Sequence, residues 1–174
     1  MSSSFNPDFF EFEFFSPGSN MTGHKHFADL SQASLEETSI FDSKYFPNPW
    51  TKAKWNQVSN GELGPCMLGL VYKDKRLVGL ILFGIADPDT GHLYKILVSP
   101  DEQGSGLSQE LLLRSESHLQ HGKYISVYLE VEQSNLRALA FYQKHGYQVL
   151  VKKKGFYGAG RDGLALEHIL PKLV

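Results

Sequence analysis

Apolar positions along the chain change period from two to between three and four and back again, and these changes divide it into elements. In FFEFEFF, Phe9 to Phe15, apolar and acidic residues alternate, which predicts a strand with phenylalanines on one face; Ser16 to Gly23 then reads as a loop. Phe27 to Phe41, FADLSQASLEETSIF, has helical spacing and is ended by the two prolines of FPNPW, with a shorter helix over Thr51 to Val58. Strands over Met67–Tyr72 and Leu77–Gly84 flank a KDKR turn, and DPDTG turns the chain into another strand, His92 to Val98. Leu107, Leu111, Leu112 and Leu119 then share one side of a helix that closes at Gly122. Tyr124 to Val131 alternates, placing Ile125, Val127, Leu129 and Val131 on one face. A helix from Asn135 to His145 stops at Gly146, and strands near Tyr147–Val151 and Leu164–Leu170 finish the chain. Strand, two short helices, three strands, helix, strand, helix, two strands is an α/β (α+β) pattern, a mixed sheet packed between helices, with no internal repeat.

Composition narrows the function classes. The 174 residues are 41% hydrophobic, enough for one globular domain with a real core. Seventeen basic residues against nineteen acidic ones give no electrostatic case for nucleic acid or an anionic membrane as partner. The single cysteine, Cys66, excludes an intrachain disulfide and reads as core. The seven histidines show no metal-ligand spacing with carboxylate or cysteine partners, so no metal is expected. The start MSSSFNPDFF lacks a basic, apolar leader, and LVGLILFGIA is too short to cross a bilayer; the expectation is a soluble, cytoplasmic protein.

Two stretches carry candidate chemistry. The loop SPDEQGSGLS, Ser99 to Ser108, links a strand to a helix and holds two glycines and no basic residue. The first turn of a helix leaves N–H groups unpaired, and with the positive end of the helix dipole they can hold an anion through backbone alone. The ordinary alternative is a simple turn. In LEVEQSNLRALAFYQKHGYQ, Asn135 and Tyr142 are seven residues apart and so share a helix face, while Glu130 lies on the strand face opposite Leu129 and Val131. A carboxylate, an amide and a phenol can therefore gather where strand meets helix. Equally, Asn135 is a natural helix cap, Tyr142 a packing residue and Glu130 a solvated strand position.

QGSGLS after a strand, followed by Asn135, Ala138, Phe141–Tyr142 and Gly146–Tyr147, resembles the GNAT acyl-CoA transferase superfamily in order, spacing and context. In that family the loop reads Q/R-x-x-G-x-G/A, with Gln103 here in the first place, Gly106 in the fourth and Ser108 departing from Gly or Ala in the sixth. Within the superfamily, FPNPWT, YKILVSPDEQGSG, LEVEQSNLRALAFYQKHGY and the terminal hairpin are similar to the bacterial ribosomal-protein-alanine N-acetyltransferases. The likeness runs over about Phe27 to Leu170, leaving residues 1–23 as an N-terminal extension with a possible first strand and 24–174 as the transferase domain. Gly104 and Ser105 stand where basic residues are common in that group.

The resemblance implies direct transfer of an acetyl group from acetyl-CoA to an amine, with Glu130 as general base and Tyr142 as general acid. It implies CoA contacts from backbone groups of Ile96, Leu97 and Val98, from the loop Gln103, Gly104, Ser105, Gly106, Leu107 and Ser108, and from Asn135. A carboxylate can take the ammonium proton, and a phenol near its ordinary pKa of about 10 can protonate a leaving thiol of about 8.5. The implied acceptor is a protein amino terminus. A small-molecule amine or a lysine side chain, and a non-catalytic acyl-CoA-binding module, are the alternatives. Trp50 and Trp55 read either as the wall of a peptide cleft or as core, and VKKKGFYGAGRD either as an anion contact or as a solvated hairpin tip.

Overall fold

The computed structural model describes residues 5–16 and 24–172. Turn chemistry organises the middle of the sheet. Strand β3 (Met67–Lys73) meets β4 (Arg76–Asp87) through Asp74 and Lys75, both left-handed (φ 50° and 61°), as a tight hairpin requires. Pro88 and Asp89 then turn β4 into β5 (Thr90–Val98). With β1 (Glu11–Ser16), β2 (Lys25–His26), β6 (Ser126–Glu132), β7 (Gln148–Lys153) and β8 (Gly163–Ile169), these form one eight-stranded sheet in the order β2-β1-β3-β4-β5-β6-β8-β7. Neighbours run antiparallel except β1–β2 and β5–β6.

Helices cover both faces: α1 (Gln32–Tyr45) and α2 (Lys52–Ser59) on one, α3 (Leu107–His121) and α4 (Leu136–Lys144) on the other. The unbroken apolar run of β4 follows from this. Ile81 and Phe83 pack toward α3, whereas Leu80 and Leu82 pack toward α1 and α2, so both faces of the strand are buried. Along β6, Val127, Leu129 and Val131 are buried with the α3 core, leaving Tyr128 and Glu130 on the other face. Among the described residues no helix is long and apolar enough to cross a membrane.

Element ends depart from the pattern for local reasons. Helix α1 begins at Gln32, five residues later than the spacing predicts, because the Ser31 hydroxyl caps it by accepting from the Ser34 amide. Phe27–Asp29 instead forms a 3-10 turn closed by a reciprocal cap between His26 and Asp29. Pro7–Phe9 is another such turn, so Phe9 is exposed and β1 starts at Glu11. Of the loop expected from Ser16 to Gly23, Ser16 belongs to β1 and the remainder lies outside the described residues. Ile125, expected on the buried face of β6, precedes the strand and is exposed. Tyr147 belongs to no strand; it is buried and donates to Glu116 at 2.7 Å.

Parallel pairing between β5 and β6 runs only from Thr90–Ser126 to His92–Tyr128. Beyond it, from Leu93 to Val98, β5 is paired with β4 alone, and the two central strands part.

Candidate active site

The parting strands open a cleft of about 610 Å3. Its walls are Leu93–Val98 of β5, Glu130–Glu132 of β6, the cleft-facing side of α4, and the Tyr45–Trp50 segment between α1 and α2. Opposite Leu82 stands Lys95 and opposite Phe83 stands Leu93, so Tyr94 is the extra residue of a β-bulge. The bulge sends Tyr94 and Lys95 in succession toward α1 and α2, while Leu93 and Ile96 pack toward α3. Tyr94 has room only because residue 84 is glycine: a Cβ there would lie 2.2 Å from the Tyr94 ring.

At one end of the cleft sits the loop before α3. Gly106 caps the helix with left-handed backbone (φ 98°), a conformation that favours glycine. The Ser105 hydroxyl turns inward, donating to Glu102 O (2.7 Å) and accepting from the Leu107 amide (3.2 Å); it shapes the loop rather than facing the cleft. The first-turn amides of Ser108 and Gln109 have no intrahelical partner. Ile96, Leu97, Val98, Gln103, Ser108 and Asn135 line the cleft; Gly104, Ser105 and Gly106 build the loop beside it, and the Leu107 side chain is core. Asn135 is also the cap of α4, its Oδ1 accepting from the Ala138 amide at 3.1 Å. Phe5 stacks on Phe10 and stands against the back of the loop, where a Cβ on Gly106 would come within 3.0 Å of it.

The loop's lack of cations is made up from α4. Arg137 lines the cleft and donates from Nη1 to Gln103 Oε1 at 2.9 Å. A cation in the first turn of a helix opposes the helix dipole. Directed at an anion site, the same charge adds to the amides. A free β5 edge, unpaired helix amides and Arg137 fit a long ligand with an amide-bearing arm and a phosphate group.

Where the arm would end stand Glu130 and Tyr142. Glu130 Oε1 accepts from Lys153 Nζ (2.6 Å) and the Tyr128 hydroxyl (2.9 Å), and Oε2 lies 2.7 Å from His92 Nε2. Burial pushes its pKa up, but the bonds from Lys153, Tyr128 and His92 outweigh this and hold it below the usual glutamate value. An ionised carboxylate only accepts, so His92 presents N–H through Nε2. Tyr142 is buried, and burial followed by the nearby Tyr157 raises its phenol far above the ordinary value. The expectation of a phenol near its ordinary pKa is thereby corrected: Tyr142 stays protonated and gives up its proton reluctantly. Lys153 and Tyr157 come from VKKKGFYGAGRD, which is therefore part of the site and not only a hairpin tip.

The tryptophans divide the two readings between them. Trp55 is wholly buried, whereas Trp50 lines the cleft with Phe46 and Tyr94. Cys66 is buried, its thiol pushed up to about 11 by that burial, and packs with the α1–α2 core. Among the described residues no three His, Cys, Asp or Glu side chains could hold a metal ion.

Residues 29–147 match the Acetyltransferase (GNAT) family. The chain belongs to this family. As a GNAT acetyltransferase it shares 26% identity over 146 residues with N-alpha-acetyltransferase MAK3 of Arabidopsis thaliana, covering 82% of this chain and 70% of that protein. Its fold matches that of the ribosomal-protein-S18-alanine N-acetyltransferase of Escherichia coli with a TM-score of 0.71 at 21% identity, over 83% of this chain and 92% of the other. A Bacillus anthracis structure in complex with acetyl coenzyme A matches with a TM-score of 0.57 at 15% identity, over 61% and 63% of the two chains. Acetyl-CoA is the acyl donor of the GNAT family, and the divergent strands, the loop and α4 are the parts of this member that suit it.

Proposed function

We propose that this enzyme acetylates the α-amino group at a protein's N-terminus, with Glu130 taking the amine's proton and Tyr142 protonating the departing sulfur. The observation that carries the proposal is the convergence of both side chains on one cleft whose carboxylates are already paired. Glu130 holds Lys153 and Glu132 holds Arg161, so among the described residues no unpaired second carboxylate lines the cleft for a polyamine's other charge. The likeness to MAK3 and to the ribosomal-protein acetyltransferase supports an N-terminal acceptor.

Acetyl-CoA, when bound, supplies an activated acetyl thioester. Ile96, Leu97 and Val98 offer backbone groups to its arm, while the Ser108 and Gln109 amides and Arg137 meet its phosphates. Glu130 accepts a hydrogen from the amine directly or through a water and orients the nitrogen lone pair. As the C–N bond forms the nitrogen becomes far more acidic, so a carboxylate of low basicity is enough. His92 and Lys153 hold that carboxylate in place. Tyr142 donates a hydrogen bond toward the sulfur from a buried position, and its raised pKa keeps the proton there until charge develops.

An α-amine with pKa about 7.7–8 is neutral in roughly one molecule in ten at pH 7, against fewer than about one in a thousand for a lysine near 10.4. Peptides with a free terminus, alanine first among them, should therefore be labelled from acetyl-CoA in a mass-spectrometric assay. Terminally blocked lysine peptides should react poorly. Tyr142→Phe and Glu130→Gln should each slow turnover on the order of a hundredfold. Equal labelling of blocked lysine peptides, or labelling of spermidine alone, would overturn the acceptor assignment.

A further inference from the structure

The wall of the cleft formed by Phe46 to Trp50 has little in its own sequence to hold it. Pro47 and Pro49 have no N–H to donate, and Pro47, Asn48 and Pro49 are exposed. Its side-chain hydrogen bonds run to two residues elsewhere. Asp42, on the last turns of α1, accepts at Oδ2 from the Trp50 amide (2.7 Å) and from Trp55 Nε1 (3.0 Å). Lys95, on β5, donates to Asp42 Oδ1 (2.8 Å) and to the Asn48 carbonyl (3.3 Å) and sits over the Phe46 ring at 3.7 Å from its centre. Neither charged side chain reaches solvent.

We propose that Lys95 is a positioning residue for the acceptor, fixing the Phe46–Trp50 wall from the same strand whose free edge faces the acyl donor. A buried ion pair is a costly way to gain stability, because an apolar pair of similar volume avoids the desolvation of both charges. What it supplies here is direction. One ammonium reaches the α1 carboxylate that holds Trp50 and, on the wall itself, a carbonyl and an aromatic face, and no apolar side chain can specify all three at once. Burial lowers the pKa of Lys95, and the bond and charge of Asp42 offset this only in part. The bulge at Tyr94 is what turns Lys95 toward α1. A shift of this wall moves the acceptor's approach to Glu130 while leaving the cofactor loop, which hangs from the end of β5 and not from the wall, where it is.

The inference rests on the acceptor reading of the cleft, and the test separates the two. Lys95→Met with Asp42→Asn removes both charges while the new amide oxygen can still accept from Trp50 and Trp55. Lys95→Gln, uncharged and one atom shorter, keeps a donor for Asp42 and is the second variant. Trp50 and Trp55 are the chain's two tryptophans, so acrylamide quenching of their fluorescence reports on the wall without any acceptor. The expected result in a folded variant is increased quenching, an acetyl-CoA Kd within about twofold of the parent, and KM for an alanine-first peptide raised on the order of tenfold to a hundredfold. Unchanged quenching in both variants overturns the proposal, whether or not any peptide proves to be a substrate. So does an acetyl-CoA Kd that weakens in step with the peptide KM, which would put the effect in β5 itself.

Discussion

Glu130 takes hydrogen bonds from Lys153 and Tyr128 on one oxygen and faces His92 with the other, and these three partners set its protonation. Burial alone would raise its pKa and the donors lower it, so removing one donor moves it up. Lys153→Met should therefore shift the acid limb of kcat/KM to higher pH, since the ionised base is lost at a higher pH when its folded-state pKa rises. A pH–rate profile on one peptide checks this, and an unmoved acid limb would show that the limb belongs to another group. The gathering of Glu130, Asn135 and Tyr142 at one cleft was legible in the sequence because a strand's alternation and two turns of helix place them on shared faces. Their partners were not. Lys153 is 23 residues from Glu130, His92 is 38 residues from it, and Arg137 is 34 residues from Gln103, all beyond the span over which periodicity carries information. Lys153 and His92 meet Glu130 across the sheet, where register decides, and Arg137 meets Gln103 from helix to loop across the cleft; local pattern is silent on all three.

Strands and helices were named correctly where the period was long, and their ends slipped where a cap or a bulge intervened. Ser31 moves the start of α1 because its hydroxyl satisfies the Ser34 amide, a local bond that outweighs the apolar spacing upstream. The bulge at Tyr94 leaves no mark on hydropathy, since LYKILV reads as a plain strand, yet it decides which residues face α1 and α2. It depends on Gly84 in β4, where a methyl group would collide with the Tyr94 ring. Gly84→Ala should cost about 1–3 kcal/mol, the range for overfilling a packed site. Urea unfolding with an unchanged m-value would show it. An unaltered midpoint would mean that the ring has another place to go.

Across the whole molecule, one departure from regular pairing makes the site. An eight-stranded sheet with every neighbour bonded would be a closed surface; parting β5 from β6 after His92 leaves a cleft and a bare strand edge together. Element order predicted the mixed sheet, but not this opening, because strand separation is set by which backbones fail to pair and side chains carry no signal of it. A ligand that fills the opening binds only the folded state, so acetyl-CoA at a hundred times its Kd should add about 2.7 kcal/mol to stability. Ser108→Asp tests where the phosphates sit. A carboxylate in the first turn of α3 favours the helix dipole and should leave the unliganded melting temperature equal or slightly higher, while repelling the ligand and abolishing its stabilising shift. A shift as large as the parent's would move the phosphates away from this loop.

Phe5, lodged behind Gly106 and stacked on Phe10, joins the beginning of the described chain to the back of the cofactor loop. The position of an affinity tag should consequently act as a kinetic variable for this enzyme. A fusion placed ahead of Phe5 should disturb the loop before α3, whereas one placed after β8 should leave that loop as it is. Preparations tagged at opposite ends should then differ in their Michaelis constants for acetyl-CoA, and equal constants measured side by side would show that Phe5 does not steady the loop.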